Sequence, residues 1–192
     1  RLGRSHPKLV EGLVPDLLSL GNFVKVLQNL LDEGIAIRDM RTIVQTLVEY
    51  AGRTQDTDVL TAAVRISLRR LIVQDISEGQ QELPVITLAP ELEQMLHQSL
   101  QAAGNEAEQQ GAGIEPGLAE RLQQSLKDVH QQQEMNGEPS VLLTSGLLRS
   151  TMARFARHAT DGMRVLSYQE IPDDKQIRIV SSIGGQQQPA AQ

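Results

Sequence analysis

VPDLLSLGNFVKVLQNLLDEGIAIRDMRTIVQTL, residues 14–47, decides how the first part of this chain folds. Ser19 is placed to cap a helix, its side-chain oxygen accepting from the orphan N–H groups of the first turn. Phe23, Val24, Val26, Leu27, Leu30 and Leu31 then recur at helical spacing. Gly34 follows the last turn, where a positive φ closes a helix at little cost. Residues 35–37, IAI, form a short apolar run that predicts a strand. Asp39 then caps a second helix with Met40, Ile43, Val44, Leu47 and Val48 as its inward stripe. Helix, tight corner, short strand and helix make a small winged-helix-like core.

A chain of 192 residues has room for one large domain or two small ones. Aromatics make up only 2%, so the cores must be built from Leu, Ile and Val. Cysteine is absent, which excludes disulfides and thiolate metal sites. A net charge of −6 argues against general nucleic-acid binding, which needs cations to displace phosphate counterions. No apolar run approaches the ~20 residues that cross a bilayer. No signal peptide is visible. The chain starts with Arg, not Met, and reads as a soluble fragment or processed product.

Before the organising stretch, residues 1–5 are polar and expected to fray. Pro7 suits the first turn of a short helix carrying Leu9, Val10, Leu13 and Val14. After it, Asp56 or Thr57 caps a third helix that buries Val59, Leu60, Ala63, Val64, Leu68, Leu71 and Ile72. Arg65, Arg69 and Arg70 are expected on its exposed side. The reading is α+β in two lobes: an all-helical, winged-helix-like lobe over 1–76, a polar linker over 77–83, and an α/β lobe with a small mixed sheet over 84–185. Residues 186–192, QQQPAAQ, are expected to be a disordered tail.

In the second lobe, residues 84–88, PVITL, predict a strand and Pro90 starts a helix with Leu92, Met95, Leu96 and Leu100 inward. Residues 104–113 are small and polar and predict a mobile loop. A long helix after Pro116 points Leu118, Leu122, Leu126 and Val129 inward. Residues 140–144, SVLLT, form an apolar run short enough for a central strand. The next helix carries Leu147, Leu148, Thr151, Met152, Phe155 and Ala156 on one side. Residues 163–168 and 176–183 alternate with period two. Pro172, Asp173 and Asp174 form a turn between them, which predicts an antiparallel hairpin.

No motif carries convincing chemistry. Residues 111–117, GAGIEPG, lack the spacing and preceding strand of a dinucleotide loop. His6, His97, His130 and His158 lie far apart, with no i, i+4 pair to hold zinc. Residues 144–146, TSG, lack the first glycine of a nucleophile elbow, so Ser145 reads as the start of a helix. Asp32 and Glu33 are adjacent and do not face each other on a helix. No catalytic, cofactor or metal site is expected, and no enzyme activity.

The collinear set VPDLL, KVLQNLLDEG, IRDMRTI, LTAAVRISLRR, EPGLAERL, QQEMNG and IRIVSSIGG resembles the flagellar and virulence type III export-gate (FHIPEP) family across nearly the whole chain. HPKLVEGLVP, residues 6–15, favours the flagellar branch over the virulence counterpart. The resemblance implies the last part of a cytosolic domain whose parent carries N-terminal transmembrane helices. It places the chain at the cytoplasmic face of the bacterial inner membrane. It implies a nonameric ring that receives flagellar export chaperones with their substrates and soluble export ATPase components, and that helps switch substrate class. The best-known chaperone hollow of the family lies in upstream subdomains, so no docking residue is carried over. Arg38, Arg41, Arg65, Arg69 and Arg70 then have two readings. The plainer one is a solvated charged face. The sharper one is a ring-contact or partner surface. A winged-helix nucleic-acid module, with Arg38 and Arg41 at a recognition helix, is the alternative.

Overall fold

The computed structural model describes residues 7–108 and 114–185. The chain divides into two compact units, Arg1–Ile76 and Ser77–Gln192. In the first, α1 (Pro7–Glu11) leads into α2 (Leu20–Asp32), α3 (Met40–Ala51), α4 (Thr57–Ser67) and α5 (Arg69–Ser77), which reaches one residue into the second unit.

Local chemistry sets the helix ends. Ser19 Oγ accepts from the Asn22 N–H at 3.2 Å. Asp39 takes both the backbone N–H and the hydroxyl of Thr42, at 3.1 and 2.6 Å. Asp56 accepts from the Asp58 N–H at 2.9 Å. Gly34 has φ 75°, a left-handed conformation that lets the chain turn directly out of α2. The residues between, 35–37, are not a strand, and no strand occurs among the described residues of this unit. The winged-helix comparison therefore lacks its wing. Leu30, Ile43, Leu47, Leu60 and Val64 are wholly buried, each contributing roughly 1.5–3 kcal/mol.

The expected third helix is two. The chain breaks at Leu68, whose N–H still reaches the Val64 carbonyl at 2.9 Å, and resumes as α5. Val24, Leu31, Val48 and Leu71 point outward, where the spacing alone suggested burial.

The second unit is built on β1 (Glu82–Leu88), α6 (Pro90–Glu108), α7 (Pro116–Met135), β2 (Val141–Thr144), α8 (Gly146–Ala159), β3 (Arg164–Ser167) and β4 (Gln176–Ile183). Helix α6 continues through Gly104 to Glu108, five residues into the expected loop. Residues 1–6, 109–113 and 186–192 lie outside the described residues, and with them His6, the expected fray and tail, and the first three residues of the GAGIEPG stretch.

The sheet order is β3-β2-β1-β4 and every pairing is parallel. This corrects the mixed sheet and the hairpin. The turn at Asp173–Asp174 exists, with Lys175 N–H on the Pro172 carbonyl. It does not join neighbours, because β3 and β4 lie on opposite edges. After β3 a 3₁₀ turn (Tyr168–Glu170) is closed by a capping box between Ser167 and Glu170. Residues 171–175 then bring the chain to the start of β1. There Lys175 Nζ bonds Ser77 Oγ at 2.9 Å and the Gln80 carbonyl.

One face of the sheet carries Ile86, Leu142, Val165 and Ile183 into a cluster with Leu96, Leu122, Leu126, Leu148 and Met152 from the helices. The opposite face, with Leu83, Val85, Val141, Leu143 and Leu166, is buried too. Burial of both faces explains the unbroken apolar run of β2.

Candidate interaction surfaces

The five arginines singled out in the sequence do not share one environment. Arg38 and Arg41 flank the cap of α3 and are exposed. Asp39 between them has its carboxyl pulled below the usual range, first by the Thr42 hydroxyl, then by the Thr42 amide, with a smaller pull from Arg41. Arg70 is exposed at the start of α5. Arg69 is half-buried and donates to the Ile66 carbonyl at 3.0 Å. Arg65 is 2% exposed, which overturns the expectation that it lines an outer face. Its Nη1 reaches Glu33 Oε2 at 3.4 Å. Glu33 is the C-cap of α2, so this pair ties the end of α2 to the last turn of α4.

Helix α2 also carries an exposed apolar face missed from the sequence. Leu20, Val24 and Leu31 share one side of α2 and are 63%, 42% and 52% exposed. Period alone could not separate them from the inward set, because they lie at one margin of the same continuous apolar arc as Phe23, Val26, Leu27 and Leu30.

In the second unit, polar groups gather where the strands end. His97 Nε2 lies 3.0 Å from Ser145 Oγ and 3.9 Å from Glu93 Oε1. A nucleophile triad needs the acid on the opposite ring nitrogen, orienting the base. Here both partners face the same nitrogen, so the trio cannot relay a proton that way. Ser145 instead stands at the N-cap of α8, as its neighbours in sequence suggested. Tyr168 has its hydroxyl pushed above the usual range by burial and by the Glu93 charge. No group of three metal-binding side chains occurs among the described residues. None of their helices is long and apolar enough to cross a membrane.

A groove of about 500 Å³ runs between the last turns of α7 and residues 178–181 of β4. Arg178 bridges two acids at its rim, Glu82 at 2.5 Å and Glu138 at 2.6 Å. Those bonds hold its guanidinium above its ordinary range.

The model of the FHIPEP family matches residues 1–176. The flagellar biosynthesis protein FlhA of Yersinia enterocolitica is 46% identical over 184 residues, 96% of this chain and 25% of that protein. The chain thus spans about a quarter of the length of the curated relatives it matches. Among solved structures, the nonameric EscV cytosolic domain from the type III secretion system is 26% identical. It covers 96% of this chain and 53% of that one, with a TM-score of 0.77. The Chlamydia pneumoniae CdsV and CdsO protein complex is 28% identical over 94% of this chain and 51% of that one, with a TM-score of 0.76.

Proposed function

The chain belongs to the FHIPEP family, and from that premise we propose that it forms the C-terminal part of the cytosolic domain of a flagellar type III export gate. The match to the family over residues 1–176 carries the reading. The flagellar branch is favoured over the virulence one by 46% identity to FlhA against 26–28% to the secretion-system structures. The parent would sit at the cytoplasmic face of the inner membrane, anchored through a region outside this chain.

The part acts by docking and by motion of its two units, with no covalent chemistry. It contributes to a nonameric ring, as in the EscV domain, and takes up soluble export components, as CdsV takes CdsO. Chaperone-bound flagellar substrates dock on the same platform, and the segment that joins α5 to β1, residues 78–81 of the expected 77–83 linker, serves as the hinge in switching substrate class. The ring surface falls to the exposed Arg38, Arg41 and Arg70 and to the Leu20, Val24 and Leu31 face of α2. Arg65 drops out because it is spent inside the fold.

Calorimetric and NMR titration with a flagellar chaperone carrying its filament-type substrate tests the docking role. Saturable binding, with shifts confined to one unit, is the expected result. Silence here, beside clear binding by a longer cytosolic domain, would move docking out of these residues.

A further inference from the structure

Ser19 and Ser145 both stand at the N-caps of α-helices, with nearly the same backbone. Ser19, before α2, has φ −64° and ψ 151°. Ser145, before α8, has φ −65° and ψ 156°. Ser19 does what the position suits, and its Oγ accepts from the N–H three residues on, that of Asn22, at 3.2 Å. Ser145 makes no such bond. Its hydroxyl meets His97 Nε2 at 3.0 Å. The corresponding amide of α8, the Leu148 N–H, donates to the Ser145 carbonyl at 3.2 Å. The Thr144 hydroxyl donates to that same carbonyl at 3.1 Å. Backbone geometry therefore does not explain the missing cap, and the imidazole does.

That imidazole has a second partner within reach. Glu93, one turn earlier on α6, holds Oε1 3.9 Å from the same Nε2. The His97 and Glu93 side chains are 27% and 20% exposed, so solvent protons reach a pair that is largely shielded. Histidine is the side chain whose charge changes between about pH 5 and 8. A neutral ring can accept the Ser145 O–H at Nε2, whereas a charged ring carries a hydrogen there and only donates. A carboxylate is then the better acceptor, its bond roughly twice as strong as a neutral one, and reaching it takes about 1 Å of ring movement. The α8 N-terminus pushes the same way, because its dipole disfavours a cation. Tyr168, in the 3₁₀ turn after β3, also faces Glu93. Burial first, and then that charge, hold its hydroxyl above its usual range, so it brings no competing anion. Arg149, the first charged residue of α8, is buried and donates to the Val165 carbonyl at 3.4 Å.

We propose that His97 and the first turn of α8 compete for the Ser145 hydroxyl, with protonation of His97 as the switch. The neutral ring holds Ser145, and α8 starts without a side-chain cap. The charged ring swings to Glu93, and Ser145 Oγ turns to the Leu148 N–H as Ser19 does to Asn22. The Ser145 carbonyl keeps the Thr144 hydroxyl, so no acceptor is stranded. The output lies at the surface, where Gly146 and Leu147 are exposed, Leu147 at 77%. Mild acid thus firms the start of α8.

The test follows the full chain by NMR from about pH 8 to 5, reading the His97 ring and the Leu148 amide together. Both should change with one midpoint. Protection of the Leu148 amide, corrected for the pH dependence of exchange itself, should rise about fivefold, the worth of an N-cap. The Asn22 amide, capped throughout, should not follow that midpoint. His97→Phe releases Ser145 and should hold Leu148 in its acid state at every pH. Ser145→Ala should abolish the response, and Glu93→Gln should narrow it by removing the carboxylate that draws the charged ring away. Three results would overturn the proposal. One is a Leu148 amide that stays fixed while His97 titrates. Another is an undiminished response in Ser145→Ala, which would reduce it to the field of the ring charge. The third is His97→Phe leaving Leu148 in its neutral-pH state with the rest of the spectrum intact.

Discussion

Replacing Arg65 by Ala separates a structural arginine from a contact arginine. Arg65 is 2% exposed and meets Glu33, whose side chain is 13% exposed. Removing one partner of a buried pair costs about 3–5 kcal/mol, chiefly because the other charge stays behind in a poor solvent. Glu33 keeps some access to water, so the low end applies, about 3 kcal/mol. In a unit of this size each kcal/mol moves the melting temperature by about 4–8 °C, which puts the loss at roughly 12–24 °C. Arg41→Ala, at an exposed position, should stay within about 0.5 kcal/mol. Thermal unfolding of the full chain, followed through resonances of the first unit, reads both. A double cycle of Arg65→Met with Glu33→Gln then isolates the coupling. The reasoning fails if Arg65→Ala melts within 4 °C of the parent while self-association weakens. Arg65 would then be a surface contact after all.

The remaining expectations concern caps, turns and charge. Asp39→Ala should cost about 1 kcal/mol, measured by urea unfolding. Because its carboxyl titrates below the unfolded value, the stability it supplies is fully present above pH ~4 and fades as pH falls through the native value; Asp39→Asn should flatten that part of the acid-unfolding curve. Gly184→Ala should destabilise by about 2 kcal/mol in the same assay. Its φ is +80°, and a Cβ would stand 2.7 Å from Leu92 Cδ2 and 3.0 Å from Leu92 Cβ. Glu170→Ala strips the Ser167 N–H of a buried 2.8 Å acceptor and should cost about 1–3 kcal/mol by thermal melt. Duplex DNA should show no salt-dependent binding in a fluorescence titration, since the chain carries a net −6.

What could be read from the sequence was local. Ser19, Gly34, Asp39 and Asp56 act within a few residues of themselves, and each stands where its chemistry indicated. The central position of β2 followed from an apolar run with no polar alternation. The errors were non-local. Nothing near Arg65 reveals that Glu33, on another helix, will take its charge. Nothing near residues 172–174 tells a turn between neighbouring strands from one in a crossing to the far edge. The break at Leu68 has no glycine or proline to announce it. Helix α6 runs through Gly104 although glycine costs about 1 kcal/mol there.

The place of β4 also governs the order in which the second unit can be made. Strand β1 is synthesised first, but its outer partner is the last of this unit's described strands to leave the ribosome. Until Ile183 has emerged, the nascent sheet exposes the flank of β1 that β4 will cover, and Leu83 and Val85 sit on that strand. A ribosome stalled before β4 therefore presents a three-stranded intermediate with an adhesive margin, and a chaperone that holds nascent chains would find its target there. Fusing a second copy of residues 176–183 ahead of β1 would supply the missing partner early, so that closure no longer waits for β4 to be translated.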